Sequence, residues 1–183
     1  MTYVEEHYWT NVRRNLIAHY PYKSYKTIGK VKKIILTHTS REIMKHPDSL
    51  IPVLFGFQLV TGQKPKKICA KKSVSNWQLR EDQIMGCQTT LRNELMYSFL
   101  EKLIFFCIPN MEENDIQKKL NHNEFVFGIK NFSSFFEIEN QLDFFRQSFP
   151  NWNHFGCHVQ IITSCESEEE TKALLKGIMF PIK

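Results

Sequence analysis

Lysines grouped around one tryptophan form the part of this sequence best suited to chemistry. Residues 62–80 contain no Asp or Glu, and Trp77 lies among their cations. Such cations neutralise phosphates and release counterions, and an exposed aromatic ring can stack on a nucleobase for ~1–3 kcal/mol. The pattern favours RNA, although composition alone also allows a solvated loop whose tryptophan packs into the core. The cations are Lys64, Lys66, Lys67, Lys71, Lys72 and Arg80.

Charge is divided unevenly along the chain. The formal net charge is +5, but residues 1–110 carry 17 Lys and Arg against 8 Asp and Glu, whereas residues 111–183 carry 7 against 11. A polyanion would therefore meet the first part of the chain. An ordinary solvated basic face is the alternative that charge alone leaves open.

Signatures of the common enzyme classes are missing from the sequence. No G-x-S-x-G, P-loop or G-x-G-x-x-G motif occurs among the seven glycines. The carboxylates within 166–170 lie where a helix dipole favours anions. We therefore expect no catalytic residue and no cofactor. A small enzyme of an unrecognised class, with a His and a Cys paired only in space, is the competing hypothesis.

The cysteines predict neither disulfides nor a metal site. They number five and form no C-x-x-C pair, which argues against a disulfide framework and fits a reducing compartment. The spacing H-x-x-C-H at 154–158 does not match a usual structural zinc site, and adjacent residues of a strand point to opposite faces. The residues considered as zinc ligands are His154, Cys157, His158 and Cys165.

Length and composition predict a single domain over residues 1–183. Hydrophobic residues make up 42% of the 183 positions, which is enough for one core. The longest apolar run is short, so no membrane span is expected.

Helical spacing of apolar residues predicts helices over 4–19, 49–60 and 93–108. Asp48 is the expected cap of the second helix and Gly62 its stop. The apolar faces comprise Val4, Tyr8, Val12, Leu16 and His19 in the first helix, and Leu95, Met96, Phe99, Leu100, Leu103, Ile104 and Cys107 in the third.

A last helix follows a capping box, in which Ser167 is the cap and Glu170 its partner. Gly177 is its expected C-terminal stop.

Strands are predicted where hydrophobicity alternates, and they do not repeat with helices as βαβα units. The fold class expected is therefore α+β, with a mainly antiparallel sheet and helices packed on it. The polar stretch 111–123 is expected to be a loop, and the phenylalanine-rich region 132–155 has no clear pattern. The predicted strands cover residues 31–36, 66–70, 85–91, 124–129 and 157–163.

Several separated strings resemble one ribosomal protein family. They are GQKP at 62–65, AKKSV at 70–74, GC-x-x-TLR at 86–92 with the helix after it, and SEEETKALLKGIMFP at 167–181. In this order, over nearly the whole chain, they are similar to the universal fifth large-subunit ribosomal protein in its bacterial and organellar form.

This resemblance implies an antiparallel sheet with packed helices and a long basic β-hairpin loop. It also implies a place in the central protuberance of the large subunit, among neighbouring central-protuberance proteins. The implied partners are 5S rRNA where one is present, large-subunit rRNA, the peptidyl-site tRNA and a small-subunit head protein at an intersubunit bridge.

Site residues carry over from the resemblance position by position. Gln63, Thr90 and Arg92 match positions that face rRNA, as does Thr37, where the family has Asn. Lys71 and Lys72 match basic positions at the loop base. The full predicted rRNA-binding set is Thr37, Gln63, Lys64, Lys66, Lys67, Lys71, Lys72, Thr90 and Arg92. The predicted tRNA-facing loop is Ser73, Val74, Ser75, Asn76, Trp77, Gln78, Leu79 and Arg80.

Two departures from the family pattern limit what carries over. Asn76 and Asp82 stand where the family has glycines, and Asp82 together with Glu81 makes the loop tip less basic. The segment 110–114 is acidic where the family is basic. Bridge and tRNA contacts from that segment are therefore not expected.

The twelve Asn and fifteen Phe, with many Lys and Ile, are typical of proteins from A+T-rich genomes such as many mitochondrial ones. With a match that starts near Met1, this predicts a mitoribosomal protein of the mitochondrial matrix, and the bacterial cytoplasm is the alternative. A free-standing RNA-binding module or RNA chaperone is the alternative function.

Overall fold

An antiparallel sheet is the centre of the computed structural model, which describes residues 2–110, 118–148 and 155–181. Within these residues its strands are β1 (Val31–Thr39), β2 (Lys66–Cys69), β3 (Ile84–Leu91), β4 (Lys118–Asn121), β5 (Glu124–Ile129) and β6 (Cys157–Thr163). Their order is β2-β3-β1-β6-β5-β4, and every neighbouring pair is antiparallel. Helices pack on this sheet, so the predicted α+β class is confirmed.

Helices connect and cover the strands. They are α1 (Tyr3–His7), α2 (Arg13–His19), α3 (Arg41–Lys45), α4 (Leu50–Thr61), α5 (Asn93–Lys102), α6 (Phe136–Glu139), α7 (Leu142–Ser148) and α8 (Glu168–Gly177). π-helical turns at Tyr8–Val12 and Leu103–Cys107 continue α1 into α2 and extend α5. Nowhere in the described ranges is a helix both long and apolar enough to cross a membrane.

One face of the sheet forms the core. Ile34 and Leu36 of β1 are fully buried, whereas Ile35 and Thr37 between them are partly exposed. The same alternation in β5 and β6 follows from the two-residue period of a strand, which sends successive side chains to opposite faces. The helices therefore cover only one face.

The N-terminal helix packs by the face that its spacing predicts. Val4, Tyr8, Val12 and Leu16 are buried, and the Tyr8 hydroxyl donates to the Gly29 carbonyl at 2.9 Å. This bond fixes the helix beside the start of β1. His19, which was expected on the same face, is exposed.

Phenylalanines from region 132–155 fill the core beneath α4. The Phe132 ring lies 5.0 Å from that of Phe57 in α4, 4.8 Å from that of Phe135 and 5.0 Å from that of Phe155. Aromatic pairs at such separations add to the gain from burial. The region folds as a 3₁₀ turn, α6 and α7 as far as the description extends.

The capping box at α8 forms with one change of partner. Ser167 Oγ accepts from the Glu170 amide at 3.2 Å, as predicted, but the Glu170 carboxylate accepts from the Glu166 amide at 3.0 Å. Gly177 is the last helical residue rather than the stop after it, and a Cβ there would press on Val12. Close packing of α8 on the N-terminal helix therefore explains this glycine.

Three predicted boundaries or roles were wrong. The predicted loop 111–123 contains strand β4, which pairs with β5, while residues 111–117 lie outside the described residues. Ser49, not Asp48, precedes α4, because a 3₁₀ turn at Pro47–Ser49 comes first. Leu95 is 42% exposed and is not part of the buried face of α5.

The expected long basic hairpin loop is not shown. Strands β2 and β3 do pair, but the connection 70–83 is closed by an isolated bridge between Val74 and Leu79. It carries three cations against two anions.

We predict that Gly86→Ala destabilises the protein by about 1–3 kcal/mol, the usual cost of overpacking. A Cβ at Gly86 would collide with the His38 carbonyl of the neighbouring strand, which cannot move without breaking the ladder. Urea unfolding followed by circular dichroism measures the loss.

Gly128→Ala is the matched control, since Gly128 also lies in a central strand but its Cβ would meet only the His158 ring at 3.8 Å. We expect its unfolding midpoint to stay near wild type. Equal losses from both substitutions would contradict the packing explanation.

Candidate nucleic-acid interface

The face of the sheet turned away from the helices is the candidate interface, called here the open face. No side chain on it is buried within the described residues. Antiparallel sheets commonly keep one face solvated in this way. The side chains that form it are Lys33, Ile35, Thr37, Thr39, Lys66, Ile68, Ile84, Gln88, Thr90, Glu124, Val126, His158, Gln160 and Ile162.

One polar row crosses the open face from edge to centre. Lys66 of β2 is opposite Gln88 of β3, Gln88 is opposite Thr37 of β1, and Thr37 is opposite His158 of β6. The Gln88 amide donates to the Thr37 hydroxyl at 3.4 Å. Donors and acceptors therefore lie side by side without cover from a helix.

Three predicted rRNA-binding residues share this face with Lys66. Thr90 is opposite Ile35, so it lies diagonally from Thr37 on the neighbouring strand. Arg92 continues the extended backbone of β3, with φ −142° and ψ 161°, before α5 begins. Alternation along the strand places Arg92 on the side of Thr90.

The remaining predicted rRNA-binding residues lie at the edge of the sheet or beyond it. Gln63 is in the turn after α4, where Gly62 has a φ of 69° and the Gln63 amide donates to the Thr61 hydroxyl at 3.2 Å. Lys64 next to it is exposed. Lys67 is opposite the buried Cys87, so alternation turns it from the open face, although it is exposed at the edge.

Lys71 and Lys72 follow strand β2 and are exposed in the connection to β3. Among the residues that the structure describes, neither forms an ion pair, nor do the edge lysines or Arg92. Their charges are therefore uncompensated by protein.

The predicted tRNA-facing loop is folded on itself. The Val74 amide donates to the Leu79 carbonyl at 2.9 Å, and the Leu79 amide donates back at 3.1 Å. Gln78 closes the turn with a φ of 54°. Trp77 is 70% exposed at this turn, so the alternative in which it packs into the core is wrong. Its ring is free to stack.

A cleft of about 750 Å³ lies between this loop and α3. The Gln83 amide donates to the Met44 carbonyl at 2.9 Å and holds the two sides together. Apolar and cationic groups both face the cleft, a combination that accepts a base and its phosphate. Its lining is Arg41, Met44, Lys45, Asn76, Trp77, Gln78, Leu79, Gln83 and Met85.

Sequence reasoning missed several residues of the open face. Gln88, His158 and Gln160 lie in the central rows, and Lys33 is near the opposite end of β1. The signal that could have found them is alternation, since polar residues occupy every second position of β3 and β6. Basic clustering drew attention to the edge instead.

The buried titratable groups near this face are not poised for catalysis. Burial lowers the pKa of His38, and its Nδ1–H donates to the Gly156 carbonyl at 2.6 Å, so the ring stays neutral. Burial raises the pKa of the Cys87 and Cys107 thiols to about 12. A protonated thiol is a poor nucleophile. Of the five cysteines only Cys69 is exposed.

No group of three or more potential metal ligands occurs among the described residues, and His154 lies outside them. Cys157 and Cys165 are buried in the core rather than turned to a common site.

Comparisons with known proteins cover the whole chain. Residues 84–182 match the model of the C-terminal part of the ribosomal uL5 family. The large ribosomal subunit protein uL5 of Moorella thermoacetica is 30% identical, over 100% of this chain and 99% of that protein. The large ribosomal subunit protein uL5m of Reclinomonas americana is 29% identical, over 100% of this chain and 98% of its own length.

These matches confirm the resemblance seen in the sequence strings. Proteins of this kind are structural rather than catalytic, which confirms the prediction of a non-enzymatic chain. With the family model matching more than half of its residues, the chain belongs to the ribosomal uL5 family.

Proposed function

We propose that this chain is a structural protein of the large ribosomal subunit that binds rRNA through the open face of its sheet. The observation that carries the proposal is the uncovered polar row from Lys66 to His158, bordered by cations without protein partners. Full-length similarity to two proteins named as large-subunit components supports the same role.

The chemistry of the open face suits a folded RNA. Hydroxyl and amide groups of Thr37, Thr90 and Gln88 can bond to riboses and base edges, and such contacts fix register. Lys66 and Arg92 supply charge for the phosphates. Gln63, Lys64 and Lys67 extend the contact along the edge.

The finer assignment follows from the family resemblance. The rRNA bound would be 5S rRNA together with nearby large-subunit rRNA, in the central protuberance. Residues 73–80 would approach the peptidyl-site tRNA, and the exposed Trp77 gives that loop a stacking group. Neighbouring central-protuberance proteins and a small-subunit head protein complete the proposed partners.

For the location we propose the mitochondrial matrix, with the bacterial cytoplasm as the alternative. The similarities to the Moorella and Reclinomonas proteins are nearly equal, so composition is the argument for the mitochondrion. Mapping the coding gene to mitochondrial or bacterial DNA tests the assignment.

We predict that Lys66→Glu weakens binding of the isolated chain to large-subunit rRNA about tenfold, because a repulsive charge replaces a phosphate contact. The slope of log K against log salt should fall by about one. Filter binding at several salt concentrations measures both.

Lys176→Glu is the control with the same charge change, on an exposed position of α8. It should leave affinity within about twofold of wild type, because α8 packs against the opposite face of the sheet. A similar loss from both variants would contradict a site on the open face.

We predict that Lys71→Glu with Lys72→Glu reduces incorporation into large subunits, since both charges lie at the loop base. Co-sedimentation of the tagged chain with large subunits in a sucrose gradient measures it. Normal incorporation would remove these lysines from the rRNA site.

Trp77→Ala and Arg80→Ala should assemble normally but weaken peptidyl-site tRNA binding, by about fivefold for a lost stack. Trp77→Phe keeps an aromatic face and should retain most of the affinity. Failure of these variants to assemble would contradict the separation of loop and sheet roles.

A further inference from the structure

Arg13 is a buried cation without a carboxylate partner. Its side chain is only 7% exposed, and Nε and Nη1 have no hydrogen-bond partner among the described residues. Nη2 donates to the Tyr25 carbonyl at 3.3 Å. A buried charge is costly unless something compensates it.

Two aromatic rings compensate this charge. The Arg13 guanidinium carbon lies 3.5 Å from the centre of the Tyr25 ring and 4.7 Å from that of Trp9. Each such contact contributes about 0.5–2 kcal/mol. Tyr25 is nevertheless 69% exposed and Trp9 46% exposed. Arg13 therefore holds two rings whose remaining surface faces solvent.

The loop that carries Tyr25, residues 23–27, is exposed along its whole length but anchored at both ends. Before it, the Tyr22 hydroxyl donates to the Glu170 carboxylate at 2.5 Å. After it, the Lys30 amide donates to the Ser164 hydroxyl at 2.9 Å. The ring is therefore presented from a fixed position rather than from a free tail.

Positive charge surrounds these rings. No Asp or Glu occurs between residues 7 and 41, and the acids of the N-terminal helix, Glu5 and Glu6, lie nearer its start. The exposed cations beside the rings are Arg14, Lys23 and Lys26. We call Trp9, Arg13, Tyr25 and these three cations the Arg13 platform.

The Arg13 platform is separate from the loop that carries Trp77. The Tyr8 hydroxyl bond to Gly29 places the platform at the start of β1, whereas the 70–83 connection meets the other end, where Thr39 is opposite Gly86. At 3.2–3.4 Å per residue, the nine residues of β1 separate the two by roughly 25 Å.

We propose that the Arg13 platform is a second RNA-binding site, which takes an unpaired strand by stacking bases on Tyr25 and Trp9 and by pairing its phosphates with Arg14, Lys23 and Lys26. Stacking on aromatic faces within a basic surface is how proteins bind single strands without sequence preference. The inference deepens the proposed function, because it names a second RNA element for the same protein.

RNA fits the platform better than a protein partner does. Protein interfaces are poor in lysine and bury an apolar centre, whereas this surface combines two aromatic rings with cations of one sign. A free phosphate would leave the rings unused.

The test uses the full-length chain and a fluorescein-labelled single-stranded oligouridylate of about eight nucleotides, with binding followed by fluorescence anisotropy. Tyr25→Ala and Trp9→Ala should each weaken affinity between about 5-fold and 100-fold, the range for loss of one stack. Tyr25→Phe should stay within about twofold of wild type, because it keeps the stacking face.

Tyr3→Ala is the matched control, since Tyr3 is 54% exposed on the same helix but contacts only His7 and Phe105 rings. It should not change affinity. The Tyr25→Ala loss should persist in a Trp77→Ala background, as expected for two separate sites. A Tyr25→Ala effect no larger than that of Tyr3→Ala overturns the proposal.

Two further outcomes separate the hypotheses. If Lys66→Glu weakens rRNA binding while Tyr25→Ala leaves oligouridylate binding unchanged, only the second site fails; the reverse removes the open face and keeps the platform. If subunits with Tyr25→Ala lack a neighbouring protein but the variant binds oligouridylate normally, the surface binds protein and the proposal is overturned.

Discussion

The helices of this protein cover its sheet from one side, and the rest of the structure depends on that constraint. Leu36 and Ile34 face the helices and are fully buried, so the residues between them must face outward. Because a strand has a two-residue period, burial of one face determines which side chains stay wet. The polar row of the open face is thus a direct result of how the core is packed.

Uncompensated positive charge is the second property that links structure to function. The edge lysines and the Arg13 platform place like charges on one molecule with few acids between them, which costs stability in the free chain. A bound polyanion removes that repulsion and stabilises the folded state by mass action. The protein is therefore built to be most stable within a ribonucleoprotein particle, where both basic surfaces have partners.

Sequence periodicity was a reliable guide wherever one face of an element is buried, as in β5, β6 and the N-terminal helix. It failed for β4, a polar edge strand held by backbone pairing with β5, and in the region 132–155, where phenylalanines point in several directions. Alternation places Thr37 and Thr90 on one face, but the Arg13 stack joins residues from a helix and a distant loop, which no local pattern encodes. The roles of the site residues in RNA binding remain predictions.

The uneven burial of the five cysteines has a practical consequence. Four thiols are enclosed in the core, while Cys69 is exposed at the end of β2, three residues from Lys66 and close to the rim of the open face. A thiol-reactive fluorophore would therefore attach at one position of the native chain without any engineered residue. The unmodified protein already carries a unique attachment point from which the arrival of RNA can be followed in real time.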